Sequence, residues 1–130
     1  MSKTLTAAST WTFIDDDGIT QKITTTRSVT YTAVVEGGIP LVDGAVSMTV
    51  PIPFGKIEKA TGIEINNESG QDVVLLLNGT PLSGHVANKG RMQYLVGSPT
   101  ADFIANASVT LLSTQAGAGS IGFKVFGNPA

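Results

Sequence analysis

Cysteine is absent from the 130 residues, and histidine occurs once, as His85. Without cysteine there is no disulfide framework, no thiolate nucleophile and no Cys-based zinc site. One histidine leaves no second imidazole for a metal centre. Charge is scarce as well: Asp, Glu, Lys and Arg make up 14% of the chain, against roughly 25% in an average domain. The eight basic residues are scattered and the net charge is −2. No basic run could neutralise several phosphates, so neither nucleic acid nor an anionic membrane is an expected partner. No apolar run approaches the ~20 residues that span a bilayer. Met1-Ser2-Lys3-Thr4-Leu5-Thr6 lacks the apolar core of a signal peptide, so folding in a cytoplasm is expected.

Helix signals are also missing. Gly, Pro, Thr and Val interrupt every window that could carry an i, i+3, i+4, i+7 apolar stripe. What remains is short β-branched or aromatic runs bounded by Gly, Asn, Asp and Pro, the signature of strands. An apolar fraction of 42% supplies a core. The low charge leaves a surface of Thr, Ser, Asn, Gly and apolar atoms that suits burial against other subunits.

Residues 1–10 are small and polar and read as an N-terminal arm, flexible or docked, with one domain from 11 to 130. Trp11-Thr12-Phe13-Ile14 reads as a strand closed by the Asp15-Asp16-Asp17-Gly18 turn. From Ile19 to Val35 apolar and Thr-rich positions alternate, as in a half-buried strand. Seventeen residues would extend about 55 Å, so either the strand bends near Arg27-Ser28 or it is a ribbon reaching past the domain. A bend is favoured, because the inward face is weakest at Thr25 and Arg27. Pro51 and Pro53 mark an edge strand or crossover after a strand from Ala45 to Val50. Phe54 to Thr61 is the one place for a short helical turn. Asn67-Glu68-Ser69-Gly70 reads as a hairpin loop between Gly62–Asn66 and Asp72–Leu77, and Asn78-Gly79 as a tight turn. Further strands cover Met92–Val96, Phe103–Leu112 and Ile121–Phe126. The sum is an all-β fold, an antiparallel β-sandwich of jelly-roll type with about eight to ten strands.

Candidate chemistry is thin. Asp15, Asp16 and Asp17 are the densest carboxylates, but they are consecutive, and side chains that alternate along a strand do not converge on one ion. A solvated turn is the better reading, a surface calcium site the alternative. His85 sits in a Gly-flanked loop with no Gly-x-Ser-x-Gly elbow in the chain, which points to a solvated residue rather than a triad member. Glu58, Glu64, Glu68 and Asp72 fall at strand ends and loops, where solvation is expected rather than glycosidase chemistry. Gly117 and Gly119 precede a strand, so they lack the helix N-terminus of a phosphate loop. Asn67, Asn78 and Asn106 begin sequons best taken as chance in a chain rich in Asn, Ser and Thr. No enzyme and no cofactor is expected. Most of the eight aromatics are expected in the core. Trp11 and Phe126, near the two termini, are the exceptions, and with Phe13 and Tyr31 they form the expected partner interface.

The run Gly62-Ile63-Glu64-Ile65-Asn66-Asn67-Glu68-Ser69-Gly70-Gln71-Asp72-Val73, the strand Tyr94-Leu95-Val96 and a closing hairpin from Ala107 to Phe126 resemble small β-sandwich virion proteins of tailed bacteriophages. The long Thr-rich ribbon and the arm are similar to capsid decoration (cement) proteins or tail accessory proteins. The resemblance implies a structural protein of the virion without catalytic residues. Its partners would be itself, as a homo-oligomer such as a trimer, and other virion proteins such as the major capsid protein. A capsid-forming subunit and a glycan- or receptor-binding module are the alternatives.

Overall fold

The computed structural model describes residues 2–41, 49–82, 86–96, 103–113 and 119–129. His85, Gly117, residues 45–48 and the Gly97-Ser98-Pro99 turn lie outside the described residues. Among the described residues ten strands follow in chain order: β1 (Lys3–Ile14), β2 (Thr20–Tyr31), β3 (Ala33–Leu41), β4 (Thr49–Pro51), β5 (Lys59–Glu68), β6 (Val73–Leu77), β7 (Thr80–Pro81), β8 (Arg91–Leu95), β9 (Ala107–Leu111) and β10 (Gly119–Asn128). All pairings are antiparallel. β1 and β2 form a ribbon of their own, and the rest form two four-stranded sheets, β3-β10-β5-β8 and β4-β9-β6-β7.

The two sheets share one buried cluster. Ile63, Ile65, Ile121 and Val125 come from the first, Val73, Leu75, Val109 and Leu111 from the second. Each is essentially inaccessible, and burying a side chain of this kind contributes about 1.5–3 kcal/mol. Alternation does the sorting in β10: Ile121 and Val125 face the core while Gly122 and Lys124 face away, as period-2 geometry requires. No aromatic is among the fully buried residues described. The expected aromatic core is therefore an aliphatic one, filled mostly by Ile and Val, the β-branched residues that also favour strands, with Leu75 and Leu111 among them.

Several local expectations change. β2 runs unbroken through Arg27-Ser28 and ends only at Tyr31, so the favoured bend gives way to the long ribbon. Residues 3–10, read as an unpatterned arm, form most of β1. Phe54 to Thr61 holds a hydrogen-bonded turn, Ile57 N–H to Phe54 O at 2.9 Å, and no helical turn. Asn67–Gly70 is not a hairpin loop, since β5 and β6 lie in different sheets, and so do β9 and β10 of the supposed closing hairpin.

The crossing from β5 to β6 is held by a buried side-chain network. Asn67 Nδ2 donates to the Gln71 and Val86 carbonyls at 2.7 and 2.8 Å. Its Oδ1 accepts from Ser69 N–H and Ser69 Oγ at 3.0 and 2.6 Å. These bonds substitute for the ladder that ends there, as buried polar groups require. Asn78-Gly79 is a true two-residue hairpin turn between β6 and β7, with φ of 53° and 81°, the left-handed pair of a type I′ turn.

Candidate functional site

The β1–β2 ribbon pairs twelve residues on each strand, from Lys3↔Tyr31 to Ile14↔Thr20. At ~3.4 Å per residue it is about 40 Å long. One face carries Leu5, Ala7, Ser9, Trp11 and Phe13 opposite Val29, Arg27, Thr25, Ile23 and Gln21. The other is largely a Thr/Ser ladder, with Thr6 bonded to Ser28 at 3.0 Å and Thr10 to Thr24 at 3.3 Å.

Only the base of the apolar face is docked. Leu5 lies against Gly62 of β5, where a Cβ would come within 2.6 Å of its Cδ2. Val29 is buried in the core cluster. Arg27 Nη2 donates to Val96 O at 2.9 Å, and Thr61 Oγ1 donates to Thr30 O at 3.0 Å. Tyr31 meets Phe126 edge to face, ring centroids 5.2 Å apart, a geometry the ring quadrupoles favour.

The distal half is bare. Trp11 is 73% exposed, Phe13 45%, Ile14 71%, Ile19 58% and Ile23 54%. Trp11 is paired with Ile23, and Phe13 lies two residues further out on the same face. Trp11, Phe13 and Ile23 thus gather on one face of the tip with Ile19 beside them at the turn, while Ile14, opposite Thr20, stands on the Thr-rich face. Isolated exposed apolar residues are ordinary, but a contiguous patch of this kind marks an interaction site.

The turn at the tip is built to hold its shape. Gly18 N–H bonds to Asp15 O, and Asp15 N–H to Ile19 O, both at 3.0 Å. Gly18 takes φ +79°, completing a type I turn with a bulge glycine. Asp15 Oδ1 accepts from Asp17 and Ile19 N–H at 3.0 and 2.9 Å, and Oδ2 from Gln21 Nε2 at 2.9 Å. The Gln21 bond first, then the Ile19 amide, hold the Asp15 carboxyl below its usual pKa; desolvation opposes them, and the Asp17 amide adds a smaller lowering. Both of its oxygens are used within the turn.

No protein-family model, curated protein or solved structure matches the chain. Its chemistry therefore stands on the geometry alone. Among the described residues, no three His, Asp or Glu side chains are grouped to hold a metal ion. Glu64 is not at a strand end but in mid-β5, bonded to Gln93 Nε2 at 2.6 Å and 3.9 Å from Arg91 Nε. Asp72 accepts from Asn88 N–H. A cleft of about 340 Å³ opens between ribbon and sheet, with Leu5 and Ala8 on one wall and Glu64, Gln93 and Phe126 on the other. Asn67 and Ser69 of the first sequon are both buried, which leaves no room for a glycan there.

Of the four residues expected at an interface, the structure brings together two pairs. Trp11 and Phe13 share the exposed tip, while Tyr31 and Phe126 pack on each other at the base, about 27 Å along the ribbon from Trp11. Sequence reasoning missed Ile19 and Ile23 as parts of the same patch. The alternation had marked Ile23 as apolar, but only the register shows that it faces Trp11.

Proposed function

We propose that the chain is a structural protein of a virion, a decoration (cement) protein that stabilises a shell by binding across subunit joints. The observation that carries this reading is the ribbon tip, an apolar surface projected away from the body that presents it. Its mechanism is mechanical: the tip and the Thr-rich faces are buried against neighbours, including the major capsid protein, so that the shell resists internal pressure. The sparse charge of the chain favours such burial, because few ions must be desolvated.

The body supports the same reading as a jelly-roll sandwich. β3 pairs with β10, β4 with β9, β5 with β8 and β6 with β7. Such nested pairs describe an eight-stranded chain folded double and rolled up, the double Greek key of many capsid domains. The partial resemblance of residues 62–126 to phage virion proteins points the same way.

Purified particles from the source that encodes the chain provide the test. The protein should co-sediment with them, and an antibody should label the capsid surface at regular positions. Label on the tail, or at the density of the shell subunit itself, would favour a tail accessory or a capsid-forming subunit. Absence from every particle would remove the reading. Exposed Trp11 also supports a glycan- or receptor-binding module, for which a glycan array with no hits would be decisive.

A further inference from the structure

Glycines on the outer face of the β3-β10-β5-β8 sheet follow a pattern that the subunit explains only in part. Gly62 is explained by the ribbon, because its missing side chain makes the hole that Leu5 fills. Gly38 of β3 and Gly122 of β10 stand in register on that same outer face, opposite in direction to the inward Ile39 and Ile121. Among the described residues nothing demands glycine at either position. A Cβ on Gly38 would meet only Ile121 O at 4.0 Å, and one on Gly122 would touch Asn66 Cβ at an ordinary 3.4 Å. Glycine weakens a strand interior and often marks the close approach of another backbone or ligand. A cleft of about 300 Å³ opens beside this trough, bordered by Glu36, Lys124 and Asn66.

The subunit's own tip cannot fill it. The ribbon crosses from Gly62 over Gln93 and Leu95. It leaves the sheet on the β8 side, the edge opposite β3. We infer that a second copy of this chain does so: Trp11, Phe13 and Ile23 of one ribbon lie on the outer sheet face of the other copy, over Gly38 and Gly122. The contact repeats, between subunits, the knob-over-glycine packing that Leu5 and Gly62 make within one.

The area suffices. Covering these three side chains with flanking Ile19 removes roughly 470 Å² from water, taking ~150–250 Å² per large side chain and discounting by exposure. Counting both surfaces, one joint reaches about 950 Å², and a reciprocal pair reaches about 1,900 Å², within the range of a stable interface. Donor and acceptor are different surfaces, so two copies that exchange tips make both contacts at once, which closes the assembly as a dimer. The inference rests on the reading of the chain as an assembly subunit and names its first partner.

Sedimentation equilibrium of the full chain, across micromolar to sub-millimolar concentration, tests it. The wild type should associate, and the emission of its one tryptophan should shift to the blue as it does. Trp11→Ser/Ile23→Thr and, separately, Gly122→Lys should each weaken association by more than about tenfold, the range for a central tryptophan anchor, with unchanged far-UV circular dichroism. Mixing the two variants should restore a complex, since one keeps the acceptor and the other the donor. A wild type that stays monomeric overturns the inference, even if the same ribbon residues prove necessary for binding to particles. So does an oligomer that survives both variants. Association without any affinity for particles sustains it while removing the virion reading.

Discussion

Asp15 shows how much order one side chain can impose at an exposed turn. Three donors converge on its carboxylate, Gln21 Nε2 and the amides of Ile19 and Asp17, and together they lower its pKa from 3.8. A carboxyl whose folded pKa lies below its unfolded value stabilises the fold above the unfolded value, about 3.9, and that contribution is lost as pH falls through the folded one. Titration followed by carboxyl carbon shifts should therefore place the Asp15 midpoint below 3.8. The amide shifts of Asp17 and Ile19 should move with the same midpoint, and Asp15→Asn should abolish that movement while the core stays intact. A midpoint at or above the ordinary value would sink the account. The consecutive aspartates were legible as a turn because a strand cannot bring them to one point. The role of Asp15 was not, because Gln21 is brought opposite only by the ladder. Asn67 teaches the same lesson inside the protein: a residue whose neighbours spell a solvated loop is the buried hub that carries the chain from one sheet to the other.

The ribbon divides sharply into a base that belongs to the body and a tip that does not. Leu5, Arg27, Val29, Thr30 and Tyr31 tie the base down, whereas from Ser9 to Thr25 only Asp15 is even half-buried. Replacing residues 9–25 by Asn-Gly between Ala8 and Thr26, which face each other in the ladder, should change stability by less than about 1 kcal/mol in dilute solution, as expected for surface residues. Val29→Ala should cost about 2 kcal/mol, the lower part of the range for truncating a buried aliphatic side chain. Urea denaturation followed by far-UV circular dichroism measures both, and a tip deletion as costly as Val29→Ala would contradict the division. The strands themselves were readable from the Ile19–Val35 alternation. The bend expected at Arg27 was not there, because Arg27 finds a partner on the body, donating to Val96 O, while its own strand stays paired to β1 without a break. Which strands share a sheet was not readable either. A corner between sheets and a hairpin loop use the same Asn, Ser and Gly, and only partners distant in sequence tell them apart.

In the eight-stranded body, four of the pairings are nested around one local turn. Leu77↔Thr80 lies innermost, then Gly62↔Leu95, then Thr49↔Thr110, with Ala33↔Gly127 outermost. Each step outward closes a longer loop, yet each doubling of length costs only about 0.6 kcal/mol more once the inner pair is formed. Folding should therefore nucleate at the β6–β7 hairpin and its packing on β9 and proceed outward, in the millisecond-to-second range of proteins dominated by non-local strand pairs. Two variants separate this order from its reverse. Gly79→Ala strains a position at φ +81° and should slow refolding with little change in unfolding. Val125→Ala empties a fully buried site in β10, outside the nucleus, and should chiefly speed unfolding. Stopped-flow circular dichroism is the suitable probe, because Trp11 stands at the ribbon tip and its fluorescence does not report on the core. If Val125→Ala slows refolding as much as Gly79→Ala does, the outermost pair forms early and the nested order fails.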